Sequence, residues 1–381
     1  MSSLDTFAKA KLAALEARHL KRTLAETVRG DALWVMRGGR RMLSFSCNDY
    51  LNLTHHPKVK DAAIAAIETY GAGAGASRLV TGNHPLFGML EQRLARLKGT
   101  EAACVFGSGY LANAGIVPVI VGEGDLLLVD ELSHSCLWAG AQLSRARVEK
   151  FRHNDVAHVE EILRTHRADH RHALIVTDGV FSMDGDLAPL KELSALARAH
   201  DAWLMSDDAH GLGVLGGGRG TAFAAGASVD LQMGTLSKAL GSYGGYVCAS
   251  SAVIDLLKTR ARTLIYSTGL PPASVAAALA ALEIVESEPE LTTRPLAKAQ
   301  VFTRACNLPL ATSQIVAVVL GDPLAALEAS QILEREGFLV TPIRPPTVPE
   351  GTARLRLAFT AGHPDDEIAR LAAIVRERIL A

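Results

Sequence analysis

Short apolar runs of five or six residues recur through the middle of the chain, and longer stretches with helical spacing separate them. Runs that are apolar at nearly every position are typical of strands buried on both faces of a parallel sheet. Their alternation with helices predicts an α/β fold with a mostly parallel central sheet. The predicted strands are AACVF (102–106), DLLLVD (125–130), ALIVTD (173–178), AWLMSD (202–207), DLQMG (230–234) and GYVCAS (245–250).

Helices are predicted where apolar residues recur every three or four positions next to a terminal signal. Pro57 suits the first turn of a helix and Gly71 its end, so one helix is predicted between them. Leucines at helical period over 86–97 predict another helix, which ends at Gly99. The segment LKELSALARAH (190–200) has the same period.

The pattern changes towards both ends of the chain. Residues 1–29 predict a helical arm, because four of their side chains follow helical spacing. These side chains are Leu12, Leu15, His19 and Leu20. After the Pro271–Pro272 pair, a long helix at 273–286 precedes mixed strands and helices, which is typical of an α+β domain.

The C-terminal strands are QIVAVVL, GFLVTPI and RLRLAF, and the helices that accompany them lie at 324–336 and 365–380. We therefore predict three parts. They are an N-terminal arm (1–44), a large α/β domain (45–270) and a smaller C-terminal α+β domain (271–381).

The composition is that of a soluble globular protein, with 49% hydrophobic and 21% charged residues among 381 and a formal net charge of -1. Nucleic-acid-binding proteins usually carry a basic excess, and no apolar run reaches the ~20 residues of a membrane span. Charged residues from Asp5 to Glu16 interrupt any N-terminal leader segment. Scattered cysteines in apolar runs indicate buried thiols in a reducing compartment, so we expect a cytoplasmic protein. They are Cys47, Cys104, Cys136, Cys248 and Cys306.

Polar side chains lie where the predicted strands end: Asp178, Asp207, His210, Thr235 and Lys238. The carboxyl ends of parallel strands meet at one edge of a sheet, and ligands bind outside that edge. The sequence therefore predicts one site that these residues share.

Lys238 stands in the segment GTLSKALG among small, apolar or hydroxyl-bearing neighbours. A lysine is usually a solvated surface charge, but these neighbours suit an amine that is desolvated enough to form a Schiff base. Thr235 and Ser237 could bind a phosphate beside it.

Asp207 and Asp208 are adjacent acids at a buried strand end, and each is costly there without a partner. A cationic ring nitrogen would suit one of them. A metal pair is the rival interpretation, but the chain offers no convincing third ligand cluster.

One GxGxxG pattern begins at Gly211 and ends at Gly216, after a strand, and it would be typical of an NAD-dependent oxidoreductase. No amphipathic helix follows the pattern, so a tight turn is the better interpretation.

Two further features are weak alone. The segment FGSGYLAN (106–113) is either an ordinary turn between a strand and a helix or a turn whose exposed backbone N–H groups bind a phosphate. His134 is either a core histidine or an imidazole that stacks on a ring. Combined with Lys238 and Asp207, they indicate a site for pyridoxal phosphate.

The order of the segments SCNDYL, FGSGYLAN, DELSHSC, TDGVFSMDGD, DDAHGLG, GTLSKALG, IYSTGLPP and IRPPTVPEGTARLRL is itself specific. In this order they resemble the α-oxoamine synthases, which are fold-type I enzymes dependent on pyridoxal phosphate. The resemblance covers residues 20–375. One departure is Asn52, where the family has glycine; asparagine tolerates left-handed backbone, so we expect the turn to survive.

The resemblance implies that Lys238 carries the cofactor, that Asp207 pairs with its ring nitrogen and that His134 stacks on its ring. These three are the implied catalytic residues. The implied cofactor-binding set is Gly109, Tyr110, His134, Ser182, Asp207, His210, Thr235, Lys238 and, from a neighbouring subunit, Thr268.

Four substrate contacts are also implied. Asn48 and Arg356 would bind the carboxylate of an amino acid, which a guanidinium fits bidentately. Thr347 and Arg22 would meet the acyl substrate, with Arg18 as an alternative to Arg22.

The activity implied by the resemblance is a decarboxylative condensation of L-alanine with a pimeloyl thioester, a step of biotin biosynthesis. The acyl carrier would be coenzyme A or an acyl-carrier protein, and the enzyme would be a homodimer. The segment IRPPTVPEGTARLRL favours this activity. The alternative within the family is a member such as glycine C-acetyltransferase, and the alternative of another class is the NAD-dependent oxidoreductase.

Overall fold

The computed structural model describes residues 2–18 and 20–380, so the predicted helical position of His19 lies outside the described residues. The strands, in chain order, are β1 (Val28–Arg29), β2 (Trp34–Arg37), β3 (Arg40–Ser44), β4 (Ala102–Phe106), β5 (Leu126–Asp130), β6 (Arg147–Phe151), β7 (Ala173–Asp178), β8 (Trp203–Asp207), β9 (Leu231–Thr235), β10 (Gly245–Ala249), β11 (Ile315–Gly321), β12 (Phe338–Leu339), β13 (Thr341–Ile343) and β14 (Ala353–Ala358).

The helices are α1 (Ser3–Ala17), α2 (Pro57–Tyr70), α3 (Pro85–Lys98), α4 (Gly109–Ile120), α5 (Ser135–Ser144), α6 (Val156–His166), α7 (Leu190–Ala199), α8 (Thr221–Ala225), α9 (Ser251–Arg260), α10 (Arg262–Ile265), α11 (Pro272–Ser287), α12 (Pro289–Ala305), α13 (Pro323–Arg335) and α14 (Asp365–Arg378). The predicted helix ends at Gly71 and Gly99 are confirmed, with φ of 84° and 67° at these glycines. Within the described residues, no helix combines the length and the apolar character that crossing a membrane requires.

The central sheet has seven strands in the order β4-β10-β9-β8-β7-β5-β6. Strand β10 is antiparallel to β4 and β9, and the other neighbours are parallel, which confirms the predicted mostly parallel sheet. All six predicted strands are present. The seventh, β6, reads RVEKF and was not predicted, because an edge strand with charged, exposed residues lacks the apolar run that a central strand shows.

Each central strand contributes side chains to both faces of the sheet. Leu127 and Val129 of β5 pack in one apolar cluster with residues of α4 and α5. Leu126 and Leu128 pack in another with residues of α6 and α7. Successive side chains of a strand point to opposite faces, so an all-apolar strand fits between two helix layers.

Two smaller sheets complete the fold. Strands β1, β2 and β3 lie beside β12, with β3 parallel to β12, and β11, β14 and β13 form an antiparallel sheet. Thus Leu43 and Ser44 of β3 pair with the C-terminal strand β12, while α11 packs in the same core cluster as Tyr50 and Leu236. The division at residues 44 and 270 stays a prediction from the sequence.

The helical arm is shorter than predicted. Helix α1 ends at Ala17, and the backbone N–H of Leu20 donates to Leu15 O at 2.8 Å, which closes the end of the helix. The described side chains of α1 are exposed, so no apolar contact supports extension of the helix. The prediction of a helix through residue 29 is therefore wrong.

The turn at Asn52 survives the replacement of glycine, as predicted. Asn52 is left-handed, with φ of 59° and ψ of 31°. Its Oδ1 also accepts a hydrogen bond from the backbone N–H of Gly362 at 2.7 Å, so the side chain ties this turn to the C-terminal part of the chain.

Candidate active site

The predicted strand-end residues lie at one edge of the central sheet. Asp178 and Asp207 are paired neighbours at the ends of β7 and β8, and Thr235 is the last residue of β9. Lys238 follows in the next turn. The prediction that parallel strands bring these residues to a common edge is confirmed.

A hydrogen-bonded chain runs from Lys238 into the interior. Lys238 Nζ lies 2.7 Å from His210 Nε2, and His210 Nδ1 lies 2.6 Å from the Tyr50 hydroxyl. Gln314 Nε2 donates to the backbone carbonyl of His210 at 2.7 Å. The histidine is therefore held at both its ring and its backbone, and it fixes the amine of Lys238.

The electrostatics of this chain favour neutral groups. Burial lowers the pKa of Lys238 to about 8, although the nearby Asp207 carboxylate opposes the shift. Burial, reinforced by Lys238, lowers the pKa of His210 well below its ordinary value. A lysine with such a pKa has a substantial neutral fraction near pH 7–8, which a nucleophile or general base requires.

Asp207 is held by neutral donors. Asn113 Nδ2 donates to Asp207 Oδ2 at 2.7 Å, and the backbone N–H of Ala209 donates to Oδ1 at 2.9 Å. Beside it, Asp178 accepts from the backbone N–H of His134 at 2.8 Å. Burial and the Asp207 charge raise the pKa of Asp178 well above its ordinary value, so this corner of the site favours an added positive charge.

Asp208 lies in different surroundings from Asp207. Its Oδ2 accepts from Lys98 Nζ at 2.6 Å, and its Oδ1 accepts from the Thr221 hydroxyl at 2.7 Å. Both charged side chains are buried, with 0% and 2% of their surface exposed. Asp208 is thus part of a buried ion pair within the protein.

Small residues border the start of α4. A Cβ atom added at Gly109 would lie 3.3 Å from Met233 Cε and 3.5 Å from Thr235 Cβ, so Gly109 and Thr235 face the same narrow space. Ser108 caps the helix by accepting from the backbone N–H of Leu111 at 3.2 Å. Backbone N–H groups of the first helical turn have no partner within the helix, which suits a phosphate. Tyr110, beside them, is 52% exposed.

His134 precedes α5 and is exposed on the cavity wall. Its Nδ1 accepts from the backbone N–H of Cys136 at 3.3 Å and lies 2.8 Å from the Cys136 thiol. Desolvation lowers the pKa of His134, and the Asp207 charge opposes this shift. A neutral ring fixed along one edge leaves its face available for stacking.

A cavity of about 860 Å³ adjoins these residues. Predicted site residues that line it are Arg18, Arg22, His134, Ser182 and Thr347. Arg22 Nη2 donates to the Thr347 hydroxyl at 2.7 Å, so two predicted acyl contacts lie together. Arg18 lies 3.7 Å from Glu350 and lines the same cavity.

Asn48 and Arg356 also meet, 308 residues apart in sequence. Arg356 Nη2 donates to Asn48 Oδ1 at 3.2 Å, and its Nε donates to the carbonyl of Ser182. The Tyr50 hydroxyl donates to the same Asn48 oxygen at 3.1 Å. Arg356 is only 7% exposed. The guanidinium is thus oriented by two segments, one with Asn48 and one with Ser182.

Thr268 lies apart from this network. It is exposed, and its backbone forms an isolated antiparallel bridge with Ser77. The glycine pattern from Gly211 to Gly216 forms a turn, with φ of 79° at Gly213 and 57° at Gly216. The next helix, α8, begins only at Thr221, so no helix starts at this turn, as the sequence predicts.

Comparisons with known proteins agree with this geometry. The model of the aminotransferase class I and II family matches residues 40–375. An 8-amino-7-oxononanoate synthase from Methylocella silvestris is 72% identical over 90% of this chain and 98% of its own length. Another, from Beijerinckia indica, is 64% identical over 98% of both chains. This chain belongs to the 8-amino-7-oxononanoate synthase family.

Solved structures place the family within the fold-type I architecture that the sequence predicts. Serine palmitoyltransferase from Sphingomonas wittichii superposes with a TM-score of 0.92 at 30% identity, over 99% of this chain and 98% of its own. An 8-amino-7-oxononanoate synthase from Francisella tularensis gives a TM-score of 0.77 at 26% identity, over 89% and 98%. A serine palmitoyltransferase from S. paucimobilis, with a TM-score of 0.92 and 29% identity over 99% and 98%, carries a PLP–myriocin aldimine.

The residues present in this 8-amino-7-oxononanoate synthase family member fit pyridoxal phosphate. Lys238 offers an amine with a lowered pKa, and the space between Gly109 and Thr235 is one that a Cβ would fill. The paired acids at the ends of β7 and β8 favour a positive charge beside them. Asn113 Oδ1 is also buried without a hydrogen-bond partner.

Sequence reasoning missed Asn113, Tyr50, Gln314 and Lys98 as parts of the site or its support. Asn113 and Tyr50 stood inside segments that the family resemblance had already marked, and a buried polar residue there was the available signal. Gln314 and Lys98 gave no such signal, because their partners lie about a hundred residues away.

Proposed function

We propose that this chain condenses L-alanine with a pimeloyl thioester, using pyridoxal phosphate, in biotin biosynthesis. The products are 8-amino-7-oxononanoate, carbon dioxide and the free thiol of the acyl carrier, which is coenzyme A or an acyl-carrier protein. The observation that carries this proposal is the amine of Lys238, held 2.7 Å from His210 and lowered in pKa to about 8, at the sheet edge that also holds Asp207. The substrates are those of the 8-amino-7-oxononanoate synthase family, to which the chain belongs.

Pyridoxal phosphate, when bound, supplies an aldehyde that a primary amine captures and a ring that withdraws electrons from the amino acid. Lys238 is the residue suited to hold it. The same amine is suited to remove the proton from Cα of alanine and to return a proton to the product, because a general base works best when its pKa lies near the working pH.

Three side chains would orient the cofactor. Asp207 would face the ring nitrogen, with Asn113 and the backbone N–H of Ala209 holding the carboxylate in place. His134 would lie against the ring face as a neutral imidazole. Gly109, Tyr110, Thr235 and, from a second subunit, Thr268 would surround the phosphate, with Ser182 and His210 on the side of the ring oxygen.

Arg356 would bind the carboxylate of alanine. Its guanidinium is oriented by Asn48 and by the carbonyl of Ser182, and a charged fork matches two carboxylate oxygens. The acyl chain would enter the cavity of about 860 Å³, where Arg22 and Thr347 are hydrogen-bonded to each other. Arg18, on the same wall, is the alternative contact for the acyl substrate.

The decisive test is to mix the purified protein with L-alanine and pimeloyl-CoA and to identify the product by mass. Formation of 8-amino-7-oxononanoate supports the proposal. Turnover of glycine with acetyl-CoA instead would identify a glycine C-acetyltransferase. One methyl group is worth only ~1–3 kcal/mol, so we expect the preference for alanine over glycine to be about 10- to 200-fold.

We further propose that the protein is a cytoplasmic homodimer. The exposed position of Thr268, away from the Lys238 network, supports a phosphate contact that comes from a second subunit. Sedimentation of the holoenzyme tests the dimer. A Thr268→Ala subunit mixed with a Lys238→Ala subunit then tests the shared site. If the site is shared, the mixed dimer has one active site with both substitutions and one with both native residues. The active sites that still work should then bind the cofactor as tightly as wild type.

Cofactor capture should depend on pH through Lys238. The neutral amine is the nucleophile, and the pKa is lowered to about 8, so the neutral fraction rises about tenfold per pH unit below 8 and levels off above it. Stopped-flow absorbance after mixing the cofactor-free protein with pyridoxal phosphate at pH 6 to 9.5 measures this rate. A rate that still rises about tenfold per pH unit between pH 8.5 and 9.5 would show that Lys238 has the pKa of an ordinary lysine.

Arg356→Ala should weaken alanine binding by about 10- to 100-fold, because a charge-assisted hydrogen bond is worth about 1.5–3 kcal/mol. The change in cofactor absorbance during an alanine titration measures the affinity. Arg356→Lys keeps the charge but loses the fork and should fall between wild type and Arg356→Ala. Arg376→Ala, at an exposed arginine, is the matched control. Unchanged affinity in Arg356→Ala would remove Arg356 from the substrate site.

A further inference from the structure

Three ionisable side chains form a cluster beside the site, and the proposed reaction does not use them. His153 Nδ1 lies 3.0 Å from Asp130 Oδ1, and His153 Nε2 lies 2.8 Å from Asp186 Oδ2. A carboxylate has no proton to donate, so both ring nitrogens carry one. His153 is therefore an imidazolium between two carboxylates.

One of these carboxylates holds the loop that leads to His134. Asp130 is the last residue of β5, and its Oδ1 accepts from the backbone N–H of Leu132 at 2.9 Å. Its Oδ2 accepts from the backbone N–H of Asn154 at 2.9 Å. The Asp130 side chain is fully buried. The loop from residue 130 to 134 is thus folded around this carboxylate.

The other carboxylate belongs to the hairpin that carries Ser182. Asp186 O accepts from the backbone N–H of Phe181 at 3.0 Å, and the hairpin is closed by a bridge between Val180 and Leu187. The Phe181 ring meets the His153 ring edge-on, with centroids 4.3 Å apart. The hairpin is held on its other side by Arg356, which donates to the carbonyl of Ser182.

We propose that His153 is a positioning residue whose side chain clamps the loop carrying His134 to the hairpin carrying Ser182. Residues 131–134 and 182–184 both line the cavity of about 860 Å³, so the clamp sets the spacing of two of its walls. Without the imidazolium, Asp130 and Asp186 would lose their shared counter-charge. The proposal goes beyond the proposed function, because it rests on contacts in the protein alone.

The charged groups that face His153 come from three segments. Asp130 and Asp186 bind the ring, and Glu131 Oε1 accepts from the backbone N–H of His153 at 3.2 Å. Lys150, on β6, lies 3.5 Å from Glu131. Burial lowers the pKa of His153, but the hydrogen bonds that its ring donates to the two aspartates outweigh this effect and raise the pKa to about 10.

Because its pKa is raised in the folded protein, His153 stabilises the fold to a degree that depends on pH. A histidine whose folded pKa is raised stabilises the fold fully below its unfolded pKa of about 6.5. This contribution is lost as the pH rises through about 10. At neutral pH His153 is therefore charged and hydrogen-bonded to both aspartates.

The charge state can be measured by following the histidine Cε1–H signals of the isotope-labelled holoenzyme between pH 6 and 10.5. His153→Gln assigns the signal by its loss. We expect His153 to stay protonated at pH 8. In Asp186→Asn, a change at a partly exposed residue, its titration should move to lower pH. Titration of wild-type His153 near pH 6.5 would overturn the proposal.

The clamp itself can be tested by hydrogen exchange of the holoenzyme. His153→Gln should speed backbone exchange at least about tenfold in the segments 130–134 and 180–187, and Asp186→Asn should do so in 180–187. The matched control His200→Gln should change neither segment. Unchanged exchange, or an equal increase throughout the chain, would overturn the clamp. Neither measurement depends on turnover, so either proposal can fail without the other.

Discussion

Replacing Lys238 by alanine should reduce turnover by at least about 10⁴-fold and leave the fold intact. General-base catalysis alone contributes about 10²–10⁴-fold, and the variant also loses the amine that captures the cofactor. Burial already disfavours the charged amine, as its pKa of about 8 indicates, so removal of the amine should cost little stability. Product formation by mass and thermal unfolding by circular dichroism measure the two effects.

The matched control is Lys191→Ala, which changes an exposed lysine on α7. It should keep full activity. Borohydride reduction of the wild-type holoenzyme, followed by peptide mass mapping, should place the cofactor on the peptide that contains Lys238. A reduced cofactor on another lysine, or activity retained in Lys238→Ala, would contradict the assignment.

The edge of the sheet that holds the site could be predicted from the sequence alone, because the ends of parallel strands lie at the same edge. Apolar strands such as ALIVTD and AWLMSD end in Asp178 and Asp207, and parallel strands bring such ends together. Lys238 was identified by its neighbours. Both inferences rest on short segments and on the parallel topology that the alternation of strands and helices predicts.

Other contacts were not predictable in this way, because they depend on partners far apart in sequence. The bond between Asn113 and Asp207 spans 94 residues, and that between Tyr50 and His210 spans 160. The pairing of β3 with β12 joins residues near 43 and 338. The segment GFLVTPI, predicted as one strand, instead forms two, β12 and β13, which belong to different sheets. The failed extension of α1 has the opposite cause, since its apolar spacing finds no surface to pack on.

Asp207→Asn should mainly reduce activity and Asp208→Asn should mainly reduce stability, although the two residues are adjacent. Asp208 forms a buried pair with Lys98, and the loss of one member of such a pair costs about 3–5 kcal/mol of unfolding free energy. Asp207 instead lies with Asn113 and near Lys238. Asp207→Asn should therefore lower kcat by about 10²–10³-fold, because a neutral amide no longer favours a protonated ring nitrogen.

Urea unfolding and initial rates of both variants separate these effects. The double variant Lys98→Met/Asp208→Asn should regain part of the lost stability, because it removes the unpaired buried ammonium as well. Asp207→Asn should unfold within about 1 kcal/mol of wild type, since its amide oxygen can still accept from the backbone N–H of Ala209 and its amide nitrogen can donate to Asn113 Oδ1 once the Asn113 amide turns over. If Asp208→Asn were stable and inactive while Asp207→Asn were active, the side chain facing the cofactor would be Asp208, and the assignment of the two carboxylates would be reversed.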